Sequence, residues 1–224
     1  MARAAPYDRD KALDAAMAVF WEKGFHATSL KDLEGVLGMK PGSIYAAFIS
    51  KENLFLLALA KYFEGSRKGF RAQMAQAPSP LAGLAAHLRK FALLGAGDAA
   101  RRACMLTKTL VDTRTTDPAI AGITQEYMGE MQAEFEAVFK AAQSAGELGS
   151  AADPARLARR YQANVTALRL ALDQGLDSAD FKELAEDMAL EVEELGSSLT
   201  AQRAAKKKQA EPESKGDDRQ FSMF

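Results

Sequence analysis

The chain has little cysteine and histidine and no excess of charge of either sign. Its 224 residues contain one cysteine, Cys104, two histidines, His26 and His87, and a formal net charge of −1. A single thiol forms no intramolecular disulfide, and so few Cys and His side chains do not complete a zinc site. Because there is no overall basic excess, any affinity for nucleic acid must come from the local placement of Lys and Arg. We expect a reducing compartment and no metal or other cofactor.

Long apolar runs are lacking too. No segment approaches the roughly 18 uncharged apolar residues of a membrane span. Pro6, Asp8 and Asp10 interrupt the region in which a signal peptide has its apolar core. We therefore expect a cytoplasmic protein with no membrane partner.

Strand patterns are nearly absent, whereas apolar residues recur three and four positions apart along most of the chain. The sequence is 48% apolar, which is enough for substantial cores. We predict an all-α protein of about nine helices. Its predicted parts are an N-terminal three-helix domain over residues 1–52, a larger C-terminal helical bundle domain over 53–202, and a disordered tail over 203–224.

Capping residues mark the predicted helix boundaries. Ser29, followed three positions later by Asp32, has the pattern of a capping box and starts helix 2. Pro41 suits the first turn of a short helix 3. A long helix 4 is predicted to extend to about residue 76, helix 6 to cover about 99–113, and the last helix to end at about 202.

Residues 29–48 have the features of a helix-turn-helix: two short amphipathic helices, a tight turn with glycine, and small or polar residues on the outer face of the second helix. An ordinary αα-hairpin shares this periodicity. The runs that favour the DNA-binding interpretation are Thr28-Ser29-Leu30-Lys31-Asp32-Leu33, Gly38-Met39-Lys40-Pro41-Gly42-Ser43-Ile44-Tyr45-Ala46-Ala47-Phe48 and Ser50-Lys51-Glu52-Asn53-Leu54-Phe55. Together they resemble the N-terminal domain of TetR-family bacterial regulators over about residues 8–56.

The resemblance implies a DNA-binding surface. By position it assigns to that surface Thr28, Ser29, Lys31, Lys40, Pro41, Gly42, Ser43, Tyr45 and Lys51. The chemistry is consistent, since helix N-termini offer N–H groups to phosphate, Lys40 and Lys51 add positive charge, and the Tyr45 hydroxyl can donate to phosphate. Gly42 permits close approach of the backbone to DNA. Basic and acidic side chains balance within residues 1–52, so we expect binding to depend strongly on salt.

The resemblance also implies that the C-terminal domain dimerises and binds a small-molecule inducer in a cavity formed by helices 4 to 8. The residues that we assign to this cavity are Phe91, Cys104, Met105 and Tyr127. Core packing is the alternative role for Met105 and Tyr127. His87 is a further candidate for the cavity wall, and an ordinary packed histidine is the alternative. Cys104 follows two arginines, which favour a reactive thiolate, and an inert buried thiol is the alternative.

Dimerisation is predicted to use the last two helices, because they have more apolar surface than one chain can easily cover. The residues in question are Phe181, Leu184, Met188 and Leu195, with Leu168, Leu172 and Leu176 on the preceding helix.

These patterns predict a homodimeric regulator, not an enzyme, that represses from a near-palindromic DNA operator and is released by its inducer. One alternative is a small helical enzyme or carrier that uses the C-terminal cavity, although no cluster of nucleophile, base and orienting group supports it. Another is a helical adaptor that binds only protein. The run Gly95-Ala96-Gly97-Asp98-Ala99-Ala100 has the outline of a dinucleotide-binding loop, but helical spacing precedes it where a strand is needed.

Overall fold

The computed structural model describes residues 8–94, 103–176 and 178–210, and within these ranges every regular element is an α-helix. In chain order the helices are α1 (Arg9–Lys23), α2 (Leu30–Leu37), α3 (Pro41–Phe48), α4 (Lys51–Gln76), α5 (Pro80–Phe91), α6 (Met105–Thr113), α7 (Pro118–Ser144), α8 (Pro154–Asp173) and α9 (Ser178–Ala210). The predicted all-α class is confirmed.

The helix starts follow from local capping. Both arms of the predicted capping box are present: the Asp32 N–H donates to the Ser29 hydroxyl at 3.2 Å, and the Ser29 N–H donates to the Asp32 carboxylate at 2.8 Å. Pro41 occupies the first turn of α3. Because each of these interactions spans three residues or fewer, the boundaries could be predicted from the sequence.

Two predicted boundaries were wrong. Helix α6 begins at Met105, and Cys104 precedes it as the N-cap in a non-helical conformation. Helix α9 continues to Ala210, beyond the expected end at 202, since residues 201–210 are mostly strong helix formers such as Ala, Lys and Gln. The glycine-rich run at 95–100 and the end of the predicted tail, 211–224, lie outside the described residues.

The buried side chains form two clusters. The N-terminal cluster unites α1 to α4 and includes Phe20 and Phe55, whose rings meet edge to face at 4.9 Å. It extends beyond residue 52 to Phe63 on α4 and takes in Met105 and Ile120 of the C-terminal helices. The C-terminal cluster joins α5, α7, α8 and α9 with the second half of α4. The long helix α4 therefore contributes to both clusters.

The apolar stripe of α9, predicted to face a second subunit, packs instead within its own chain. Phe181 is buried, and Leu184, Met188 and Leu195 pack against the same C-terminal cluster as Leu168 and Leu172 of α8. This is a correction, and its physical reason is that α5 lies along α9. Arg89 of α5 reinforces that contact by pairing with Glu186 at 2.7 Å and Glu193 at 2.5 Å.

Among the described residues, no single helix is long and apolar enough to cross a membrane. Helices α3 and α4, which meet at a bend of 60°, are together long and apolar enough for one span by length and composition alone.

Candidate functional site

Helix α3 exposes the face that carries Ser43 and Tyr45, because the face that carries Ile44 and Phe48 is turned inward. Ile44 and Phe48 are 1% and 0% exposed, respectively, and fix the helix on the N-terminal cluster. On the other side, Tyr45 is 47% exposed. Four of the predicted DNA-contacting residues at the start of α3 are also exposed: Lys40, Pro41, Gly42 and Ser43. The structure therefore brings five of the nine predicted residues together on one exposed stretch.

The predicted contacts at the start of α2 fall into two classes. Ser29 and Lys31 are exposed, and Ser29 also caps the helix. Thr28, in contrast, is completely buried, and its hydroxyl donates to the Gly24 carbonyl at 2.7 Å. We correct the assignment of Thr28: its side chain closes the turn between α1 and α2 and does not reach this surface.

Lys51 lies at the first position of α4 and is half-buried. Its ammonium nitrogen is 4.7 Å from the centre of the Phe25 ring, a cation–π contact. Burial lowers the pKa of Lys51, and the nearby Asp32 raises it by less. Asp32 itself pairs with Lys23 at 2.6 Å. Lys51 therefore has a packing role in addition to its positive charge.

The C-terminal domain encloses a cavity of about 90 Å³ between α4, α5, α7, α8 and the start of α6. Its apolar wall includes Phe70, Phe91, Met131, Phe135 and Val165. Its polar groups include Tyr62, His87, Cys104, Gln162 and Arg169. A concave apolar site with a few converging polar groups is typical of a small-molecule binding site.

The structure places two of the four predicted cavity residues in its wall. Phe91 and Cys104 line the cavity. Met105 is 1% exposed within the N-terminal cluster, and Tyr127 stacks on Phe63 with ring centres 4.5 Å apart. We correct both assignments, since the adjacent faces of α6 and α7 pack against α4 rather than around the cavity.

Sequence reasoning missed the most polar part of the cavity. An Arg169 guanidinium N–H donates to the Tyr62 hydroxyl at 2.8 Å. That hydroxyl in turn donates to the Cys104 sulfur, which lies 3.6 Å away. Burial raises the pKa of Tyr62, so its phenol stays protonated at neutral pH. The available signal was that Arg169 follows Val165 by four residues, one helical turn, on an inward-facing stripe of α8.

His87 is buried beside the Tyr161 hydroxyl. The hydroxyl oxygen lies 2.7 Å from Nδ1 of His87 and 3.0 Å from the Leu84 carbonyl oxygen. Burial, followed by the nearby charges of Lys90 and Arg169, lowers the pKa of His87 to about 3. The imidazole is therefore neutral at physiological pH.

A second hollow of about 370 Å³ lies between the ends of α4 and α7 and the chain that joins α4 to α5. Its charged residues, Arg71 and Glu134, form an ion pair with each other. The two charged groups that line this hollow therefore neutralise each other, and neither is free to pair with a ligand.

The cavity wall is hydrogen-bonded to the N-terminal domain. The Trp21 indole N–H donates to the Ala103 carbonyl at 2.7 Å, and the Lys108 ammonium donates to the Glu22 carbonyl at 2.6 Å. At the other end of α6, an added Cβ on Gly24 would lie 2.5 Å from the Asp112 carboxylate. Helix α6 thus lies directly against the end of α1.

Comparison with known proteins agrees with this architecture. Residues 12–58 match the model of the bacterial regulatory proteins of the tetR family, and residues 80–188 match that of the tetracyclin repressor-like C-terminal domain. The chain is 28% identical over 161 residues to the uncharacterized HTH-type transcriptional regulator YezE of Bacillus subtilis, covering 71% of this chain and 82% of YezE. It is 44% identical over 68 residues to the HTH-type transcriptional repressor ComR of Escherichia coli, a match that covers 30% of this chain and only 32% of ComR.

Solved structures show the same fold over most of the chain. A cysteine mutant of the TetR family regulator CifR, complexed with a 26-bp double-strand operator DNA, is 28% identical and superposes with a TM-score of 0.74. That match covers 84% of this chain and 97% of CifR. A TetR-family regulator from Cytophaga hutchinsonii shares the fold with a TM-score of 0.73 and is 20% identical. The match covers 85% of this chain and 94% of that regulator. With both of its domains matched, the chain belongs to the TetR family of bacterial DNA-binding transcriptional regulators.

Proposed function

We propose that the protein is a homodimeric repressor that binds a near-palindromic operator and leaves it when a small molecule enters the C-terminal cavity. The observation that carries this proposal is the position of α6. Cys104, Leu106 and Thr107 line the cavity, while Ala103 and Lys108 in the same stretch are bonded to α1. A displacement of the cavity wall would therefore move the N-terminal domain.

The proposed DNA contacts are made by the exposed face at the start of α3. Lys40 supplies charge, the Ser43 and Tyr45 hydroxyls can donate to phosphate, and the backbone at Gly42 is open to close approach. Two such helices related by a two-fold axis would enter successive major grooves about 34 Å apart. A change in their spacing on ligand binding would weaken binding to both half-sites together.

The second subunit is proposed to dock on the outer faces of α8 and α9. Leu170 and Leu190, on these helices, are 48% and 43% exposed, respectively. Exposed leucines on two adjacent helices suit a four-helix interface with a symmetry-related copy.

Selection of operators from random double-stranded DNA tests the proposal, followed by release of the selected DNA with small molecules extracted from the purified protein. We expect a symmetric site and at least one fraction that dissociates the complex. An asymmetric site or none would contradict the dimeric DNA-binding function and favour the protein-only adaptor. A bound compound that is chemically converted during incubation would favour the enzyme or carrier.

A further inference from the structure

Arg169 is a cation without an anionic partner. An arginine stays protonated in proteins and has five N–H donors. One of them donates to the Tyr62 hydroxyl, and the buried Nε–H has no acceptor. None of the ion pairs formed among the described residues includes Arg169, and Asp173, one turn further along α8, accepts the Ala103 N–H instead.

The surroundings of Arg169 compensate its charge only in part. The rings of Trp21, Tyr62 and Phe91 have their centres 6.0, 6.0 and 5.9 Å from the guanidinium carbon, at the outer limit of cation–π attraction. A charge taken out of water without a partner is costly, so buried cations in proteins are normally paired with anions. Arg169 therefore has an unused capacity to bind an anion at the cavity.

We propose that the C-terminal cavity binds a small organic carboxylate, whose charged end pairs with Arg169 and whose apolar body packs against Phe91, Met131 and Phe135. This inference rests on the proposed role of the cavity as the inducer site. The guanidinium fork suits the two oxygens of a carboxylate, and the aromatic and aliphatic wall suits a hydrocarbon body rather than a sugar or a phosphate ester.

The size of the cavity limits the ligand. Room for one water requires roughly 10–15 Å³ of space open to its centre, so the cavity of about 90 Å³ accepts a compact molecule of several heavy atoms. Simple aromatic acids and short fatty acids fall in this range. His87 lines the cavity as a neutral imidazole and adds no competing cation.

Calorimetric titration of the full-length protein with benzoate and with hexanoate, each against its amide, tests the proposal. Benzamide and hexanamide match the acids in shape and lack the charge. We expect at least one carboxylate to bind about tenfold or more tightly than its amide. Quenching or enhancement of fluorescence from Trp21, the only tryptophan in the chain, provides a second readout beside Arg169. Equal affinity for acid and amide, or no binding of either acid at millimolar concentration, would overturn the proposal.

Variants locate the charge that the acid recognises. Arg169→Gln is expected to remove the preference for the carboxylate, and Arg169→Lys to retain part of it. Arg159→Gln, on an exposed position of the same helix, is the matched control and should bind as the wild type does. If Arg169→Gln fails to fold, as judged by circular dichroism, the Arg169→Lys variant and the acid-to-amide ratio still decide the question. A preference that survives unchanged in a folded Arg169→Gln variant would place the anion site elsewhere.

Operator release is measured separately, so the two proposals can fail independently. A carboxylate that binds through Arg169 but leaves the operator complex intact supports the carboxylate site. The same result contradicts the proposal that a ligand in the cavity releases the operator. A compound that releases the operator and binds Arg169→Gln as tightly as the wild type supports the repressor and overturns the carboxylate site.

Discussion

The indole of Trp21 donates a hydrogen bond of 2.7 Å to the carbonyl of Ala103, the residue before Cys104 in the cavity wall. Trp21 lies near the end of α1, so this bond connects the C-terminal domain to the DNA-binding domain. In the proposed mechanism, a displacement at the cavity would reach α1 through this bond without being transmitted along the whole of α4. Lys108, which donates to the Glu22 carbonyl, makes a parallel connection.

Tyr45→Phe is expected to weaken operator binding by about tenfold or more, the value of a hydrogen bond to a charged group. The melting temperature should stay unchanged, because the phenol is 47% exposed and the ring is retained. Competition binding at a fixed salt concentration measures the operator affinity, and circular dichroism melts measure the melting temperature. Phe48→Ala, on the buried face of α3, is the structural control and should cost roughly 3–5 kcal/mol in unfolding free energy. Unchanged DNA affinity in Tyr45→Phe would remove the hydroxyl from the interface.

Gly42→Ala is expected to stabilise the free protein and to weaken its complex with DNA. Nothing in the protein lies within 4 Å of an added Cβ at this position, and alanine favours the helix by up to about 1 kcal/mol. The gain should appear as a higher midpoint of denaturation by urea. Gly35→Ala on α2, equally free of close neighbours, is the matched control and should be stabilised without loss of operator affinity. Equal DNA affinity in both variants would show that the backbone at Gly42 does not approach DNA.

His87 should make stability fall as the pH is lowered from about 6.5. Its pKa in the folded protein is about 3, below the ordinary value of 6.5, so in this window the unfolded chain takes up a proton and the folded chain does not. The unfolding free energy then decreases by up to about 1.4 kcal/mol per pH unit. Urea denaturation of the wild type and His87→Gln at about pH 7 and about pH 5 should show a smaller pH effect in the variant. His26→Gln, at an exposed position, is the control and should retain the wild-type dependence.

Leu170→Glu combined with Leu190→Glu is expected to give monomers in sedimentation velocity with an intact helical circular dichroism spectrum. Both leucines are partly exposed on α8 and α9, and a carboxylate at each would be desolvated at a dimer interface. Val111→Glu, at a residue of α6 that is 78% exposed, is the control and should leave the oligomeric state unchanged. A dimer that survives the double substitution would move the interface to another face.

Alkylation of Cys104 tests whether the thiol is a sensor or packs inertly. It is the only cysteine, so N-ethylmaleimide gives a single adduct that mass spectrometry can follow. Cys104 is half-buried and its sulfur lies 3.6 Å from the Tyr62 hydroxyl, so we expect labelling to be slower in the native protein than in urea. The adduct would occupy the cavity and is expected to lower operator affinity. A labelled protein with full affinity would leave Cys104 a packing role only.

The sequence by itself determined the helix boundaries set by near neighbours and the surface of α3. Ser29, Asp32 and Pro41 act within three residues of their own position, and an exposed face opposite Ile44 and Phe48 follows from the helical period. These features require no knowledge of what the helix packs against. The resemblance to the TetR family then predicted that this surface contacts DNA.

Only the tertiary structure decided which helix covers each apolar face and what lies between the helices. Periodicity marked the stripe of α9 as buried, but not that α5 of the same chain covers it. Thr28 is buried, Tyr127 stacks on Phe63, and Arg169 lines the cavity beside Tyr62. Each of these outcomes depends on contacts between residues far apart in the chain. A local pattern does not specify such contacts, because any apolar face can pack against several others. The helical spacing of Val165 and Arg169 marked an inward-facing stripe of α8, but not the Tyr62 hydroxyl that Arg169 meets there.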